Sequence, residues 1–150
     1  MPRRVHVLAL LLAAALLVVG CGGSDSKTFR QDFRPLNARI VKLGRDVGAS
    51  VTGASGKSDR QIEQTFGALA TRTGSLRKQV DALDPPDNLK GDRQDLVDSM
   101  GDARDALGQI ASAARKSDPQ AARRATIQLV AASGDLRSAR LRLARAVALK

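Results

Sequence analysis

The sequence predicts an all-α fold: an up-down-up-down antiparallel four-helix bundle preceded by a cleavable signal helix and a short flexible tether. Three observations lead there. From Thr28 onward apolar residues recur at spacings of four and three, the helical period. Turn signals cut that pattern into four blocks of similar length. The connections between blocks are short, which favours antiparallel neighbours in a bundle roughly 35–40 Å long.

The signal segment comes first. Pro2-Arg3-Arg4 is a short basic stretch, and Val7 to Val19 is an uninterrupted run of uncharged apolar residues. As a helix that run covers roughly 20 Å, against the roughly 30 Å of hydrocarbon that a spanning helix must cross. Residues 1–20 therefore read as a signal-peptide core. Losing Arg3 and Arg4 with it lowers the net charge from +10 to +8 and leaves 130 residues, enough for one domain with a modest core.

The chain's one cysteine follows directly, in Leu16-Leu17-Val18-Val19-Gly20-Cys21-Gly22-Gly23. The segment Val18-Val19-Gly20-Cys21 resembles the lipobox of bacterial lipoprotein precursors. The resemblance covers the first 21 residues. It implies that the Cys21 thiol receives a diacylglyceryl group and that cleavage between Gly20 and Cys21 leaves a lipidated N-terminus. It further implies a place on the extracytoplasmic face of the cell membrane, held by that lipid. An ordinary buried thiol is the alternative reading of Cys21, but Gly22-Gly23-Ser24-Asp25-Ser26 offers it nothing to pack against. Residues 21–27 are expected as lipidated cysteine and tether, and the six residues after Cys21 reach at most about 20 Å, so the bundle would ride close to the lipid headgroups.

The four helices, within residues 28–150, are expected near 28–52, 59–83, 87–115 and 119–148. Block one places Phe29, Phe33, Leu36, Ile40, Leu43, Val47 and Val51 on one seam, with Thr28 and Gln31 as a capping pair. Gly53-Ala54-Ser55-Gly56-Lys57 then breaks the helix, and Ser58 with Gln61 caps the next. Block two carries Ile62, Phe66, Leu69, Thr73, Leu76, Val80 and Leu83. Asp84-Pro85-Pro86-Asp87 must interrupt the chain, because a proline inside a helix removes a hydrogen bond and disfavours helical dihedrals in its predecessor. Block three carries Leu89, Leu96, Met100, Ala103, Leu107, Ile110 and Ala114, with Arg93 as a charged interruption. Asp118-Pro119 supplies an N-cap and an N1 proline. Block four, Ala122, Ala125, Leu129, Ala132, Leu136, Ala139, Leu143 and Ala146, is alanine-rich. Gly44, Gly48, Gly67, Gly74, Gly91, Gly101, Gly108 and Gly134 fall inside predicted helices yet off every seam. They read as composition drift, with close helix approach as the sharper alternative.

Little in this inventory supports catalysis. The single histidine, His6, lies in the signal segment, and Ser75, Ser99 and Ser112 have no imidazole partner. Asp92, Asp95, Asp98, Asp102 and Asp105 crowd block three on outward or flanking positions, where carboxylates are solvated, whereas bundle metal sites use inward ones. No catalytic residue, cofactor or metal is expected, and the chain reads as a non-enzyme.

Charge is more informative. Arg115, Lys116, Arg123, Arg124, Arg137, Arg140, Arg142, Arg145 and Lys150 face only Asp118 and Asp135 over the last 36 residues. Pairing with the acidic third helix is one reading, worth about 0–1 kcal/mol for each exposed pair. The other is contact of Arg123, Arg124, Arg137, Arg140, Arg142 and Arg145 with anionic lipid or wall polymer. Nucleic acid is not expected, given the address and the absence of stacking aromatics beyond three seam phenylalanines. Ile127, Val130 and Leu141 form a second apolar stripe on block four, either widening the core-facing side or marking a partner strip.

Leu83-Asp84-Pro85-Pro86-Asp87-Asn88-Leu89 and the architecture around it resemble the uncharacterised small helical-bundle lipoproteins of high-GC Gram-positive bacteria. That resemblance implies no activity. The function expected is a lipid-anchored, extracytoplasmic, non-enzymatic interaction module for an envelope protein or anionic surface, with a small-ligand-binding bundle as the alternative.

Overall fold

The computed structural model describes residues 26–148. They form α1 (Ser26–Thr52), α2 (Asp59–Asp81), α3 (Lys90–Arg115) and α4 (Pro119–Ala148), with a 3-10 turn at Asp87–Leu89 ahead of α3 and no strand among the described residues. The expected helical bundle is the fold. The readings made on residues 1–25, namely the signal helix, cleavage between Gly20 and Cys21 and lipidation of Cys21, lie outside the described residues.

Side-chain bridges between helices show the alternating direction. Arg39 Nη1 donates to Gln79 Oε1 at 2.6 Å, and further along α1 Asp46 accepts from Arg72, earlier on α2. Arg77 reaches the Val97 carbonyl, while Arg115, at the far end of α3, pairs with Glu63 near the start of α2. Arg140 donates to Asn37 Oδ1 at 3.0 Å and closes the ring between α4 and α1.

Helix ends follow local chemistry. The Ser58 hydroxyl accepts from the Gln61 N–H and the Gln61 side chain accepts from the Ser58 N–H, so both halves of the expected capping box are present. Asp118 Oδ1 accepts from the N–H groups of Gln120 and Ala121, with Pro119 at the first helical position. The α3 C-terminus closes with two back-bonds, Ser117 N–H to the Ala114 carbonyl and Asp118 N–H to the Ala113 carbonyl. This geometry puts Ser117 at φ 49°, in the left-handed region that glycine usually occupies.

Two local expectations are corrected, and a third feature was not expected. Ser26 and Lys27 belong to α1 rather than to the tether, and Thr28 lies inside the helix rather than at its cap. Pro35 sits within α1 on its exposed side, where water can serve the Gln31 carbonyl that loses its donor. The second helix ends at Asp81, two residues early, and residues 87–89 form a 3-10 turn where an α-helix was expected.

The core occupies the centre of the bundle. Phe29, Phe33, Leu43, Leu76, Leu96, Met100, Leu107, Leu129 and Leu143 are its largest fully buried side chains, and the Phe29 and Phe33 rings stack with centroids 5.9 Å apart. Thr73, at a seam position, is the one buried polar residue of the described part; its hydroxyl donates to the Leu69 carbonyl at 2.8 Å. Arg93 does not break the core, because its largely buried side chain reaches across to Asp81 at 2.6 Å while Val97 is buried one turn on. α3 packs along its length against α2 and α4, and it buries Val97, Ala106, Ala111 and Ala113 beside its seam. α1 lies diagonally opposite and approaches its neighbours less closely.

Candidate functional site

Two features converge on the side shared by α1 and α4: an exposed basic and apolar surface, and a cleft. Both follow from how the α1 seam ends. Phe29, Phe33, Leu36, Ile40 and Leu43 are buried, but Val47 is only partly covered and Val51 is 36% exposed. The large residues of the first half tie α1 to the core, and the Asn37–Arg140 hydrogen bond holds it to α4. Beyond that point both facing surfaces carry small or hydroxylated residues, Gly44 and Gly48 on α1 with Thr126, Ser133 and Gly134 on α4. Nothing fills the gap.

The result is an open cleft of about 730 Å³. Leu43, Val47, Leu107 and Leu129 form much of its apolar lining, with Thr73 and Ala103 also contributing. A Cβ added at Gly44, Gly48 or Gly134 would meet no atom within 4 Å, which shows how much room these positions leave. Two of the glycines between α2 and α3 have less room. A Cβ at Gly74 would come within 3.3 Å of the Arg104 side chain, and one at Gly101 within 3.4 Å of Arg77. Arginine side chains thus lie over those two, and open space surrounds the cleft glycines.

The charged residues lining the cleft are Arg45, Arg137 and Arg140, with no carboxylate among them. Arg45 and Arg137 have no ion-pair partner among the described residues. Asp46, next in sequence to Arg45, faces α2; the hydrogen bond from Arg72, and then that from Lys42, hold its carboxyl below the ordinary 3.8.

The outer side of α4 extends this surface. Among the described residues the exposed large hydrophobics are Val41, Val51, Ile127 and Val130, all on α1 or α4, and Ile127 and Val130 are 71% and 67% exposed. Leu141, the third member of the stripe, is half-buried. At 100° per residue, Arg123, Ile127, Val130, Gly134 and Arg137 fall on the solvent side of α4, opposite Ala125, Leu129 and Ala132.

The six arginines singled out from the sequence divide by environment. Arg142 pairs with Asp95 at 2.7 Å and approaches Asp92 at 3.7 Å, so it joins α4 to the acidic helix; Arg140 is engaged by Asn37. Arg123, Arg124, Arg137 and Arg145 have no such partner among the described residues and stand exposed. The aspartates of α3 are held locally: Asp98 accepts from Gln94, and Asp105 pairs with Arg104. Among the described residues no group of three or more histidines, cysteines or carboxylates is arranged to hold a metal ion, and no helix is long and apolar enough to cross a membrane.

Comparison of the chain with protein-family models, curated proteins and solved structures finds no match. The surface itself carries the functional argument.

Proposed function

We propose that this chain is a non-enzymatic, lipid-anchored interaction module on the extracytoplasmic face of a cell membrane. Its working surface is the outward side of α4, and its partner is an anionic surface of the envelope. The observation that carries this reading is the coincidence, on one helix side, of exposed Ile127 and Val130 with the unpaired Arg123 and Arg137. Apolar side chains flanked by arginines suit the boundary between headgroups and acyl chains. Each cation near an anionic leaflet contributes about 1 kcal/mol, so the two act together at roughly thirtyfold in affinity. The lipobox-like Val18-Val19-Gly20-Cys21 supplies the anchor in this reading.

Sedimentation of the full chain with phosphatidylglycerol vesicles tests the surface. Binding should weaken with salt and fall steeply on reversing Arg123 and Arg137 to glutamate. Equal binding to neutral vesicles, or indifference to the reversal, rejects the surface. Intact-mass analysis of the chain from expressing cells tests the anchor, for which a diacylglyceryl-bearing Cys21 at the N-terminus is the expected product.

The second reading, a small-ligand-binding bundle, has one specific observation in its favour, the α1–α4 cleft.

A further inference from the structure

We infer that the α1–α4 cleft binds a single-chain anionic amphiphile, an acyl chain ending in a carboxylate or phosphate. This rests on the ligand-binding reading and shares Val130 and Arg137 with the surface contact of α4.

Three properties of the cleft converge on that class. Its volume of about 730 Å³ lies within the roughly 300–1,000 Å³ typical of small-molecule sites. Its lining is mostly apolar, so a ligand must bring apolar surface to gain by entering. Its charge is of one sign, from three arginines unopposed by any lining carboxylate.

The distribution of that charge along the cleft decides between an amphiphile and a partner helix. Arg137 and Arg140 are one turn apart on α4, at the end where the Asn37 bond draws α1 and α4 together, and Arg45 lies on the α1 wall. Past Arg45 the lining is uncharged: Val47, Gly48, Val51 and Thr52 on α1 face Thr126, Leu129 and Val130 on α4. The cleft is therefore cationic at one end and apolar at the other over the twelve steps from Ile40 to Thr52, about 18 Å of helix. An amphipathic helix would carry its acidic residues along its length and leave most of them facing uncharged walls. An amphiphile has the matching polarity, with the head at Arg137 and Arg140 and the chain running toward Val51. Guanidinium groups suit either head, since their paired N–H donors match carboxylate and phosphate oxygens.

The test uses the full chain in phosphatidylcholine nanodiscs, irradiated with palmitate carrying a diazirine, and maps the label by peptide mass. Label is expected on residues 41–51 of α1 and 126–134 of α4. Gly44→Leu combined with Gly48→Leu should abolish it while helicity is kept, because open space surrounds both positions. Arg137→Gln should weaken labelling on the order of tenfold, the loss expected for one charge-assisted hydrogen bond. Competition by unlabelled palmitate identifies a free fatty acid as source, and competition by lysophosphatidylglycerol alone a membrane-derived one; both support the inference. Label elsewhere, label untouched by the leucine pair, equal label from a neutral fatty-alcohol probe, or crosslinks joining two copies through the cleft would overturn it. Cleft labelling without vesicle binding rejects only the surface reading, and vesicle binding without cleft labelling rejects only the cleft.

Discussion

The two flanks of α4 meet their neighbours in opposite ways. Toward α3 it presents buried Ala125, Ala132 and Ala139, and the backbones come close; Arg142 reaches across to Asp92 and Asp95. Toward α1 it presents Thr126, Val130, Ser133 and Arg137, the helices stand apart, and a cleft remains. Both flanks use small residues. On the α3 side a small residue is met by another small residue or by an aliphatic side chain, so the space closes. On the α1 side glycine faces serine and glycine across a gap that no larger side chain enters, so the space stays open. Small side chains permit close packing, and what stands opposite them decides whether the space closes.

That contrast can be attacked from both sides, beginning with the closed one. Leu143→Ala removes a fully buried side chain from the half where all four helices are packed, and should cost about 2–5 kcal/mol in chemical denaturation. Val130→Ala on the open flank should leave the midpoint nearly unchanged. A comparable loss at both positions would mean that the cleft is closed in solution. Overfilling comes next. Ala139→Leu should destabilise by about 1–3 kcal/mol, because no room exists beside a side chain 1% exposed.

The open flank should respond with the reverse sign. Gly48→Ala puts a methyl group into empty space and restores helix propensity, so the melting temperature should rise, by the equivalent of about 1 kcal/mol. A fall would show that Gly48 is covered by something the described residues do not include.

The smallest effect concerns Asp46 on α1, which pairs with Arg72 of α2 and with Lys42 one turn earlier on its own helix. The Asp46 carboxyl is depressed below 3.8, so its pairing with Arg72 and Lys42 stabilises the fold above that value and fades as pH falls through the lower folded-state value. Asp46→Asn should lower the melting temperature slightly at neutral pH, and the gap from the parent chain should close in strong acid. A gap that persists there would assign the effect to packing rather than to charge.

Much of the architecture was legible in the residues. The 4-3 spacing from Phe29 to Leu43 and from Leu129 to Leu143 reports helices directly, because burial on one side demands that period. Ser58, Pro85, Pro86, Asp118 and Pro119 mark boundaries through backbone chemistry that acts over three or four residues, so they needed no tertiary context. Pro35 escaped notice because the seam continues through it at Phe33 and Leu36, and an exposed proline loses only a bond that water replaces. The 3-10 turn at Asp87–Leu89 depends on how the chain leaves two prolines and docks Leu89 in the core.

The functional surface was legible only in part. Ile127, Val130 and the basic residues of α4 stand out in the sequence, yet nothing there separates Arg137, unpaired at the cleft, from Arg142, tied to Asp95. Partners some fifty residues apart become neighbours only when α3 and α4 align. Val51 sits on the same seam as Phe29, and periodicity assigns both to the core. The splay of α1 exposes one and not the other.

Sequence alone settled that this chain makes four amphipathic helices, where most of them begin and end, and that its basic residues gather on the last. Those properties are set by neighbours within one or two turns, where spacing, capping and proline chemistry act. Tertiary structure decided which arginines are unpaired and where a cleft lies, because both depend on the distance between helix axes, a quantity set by the summed bulk of residues far apart in the chain.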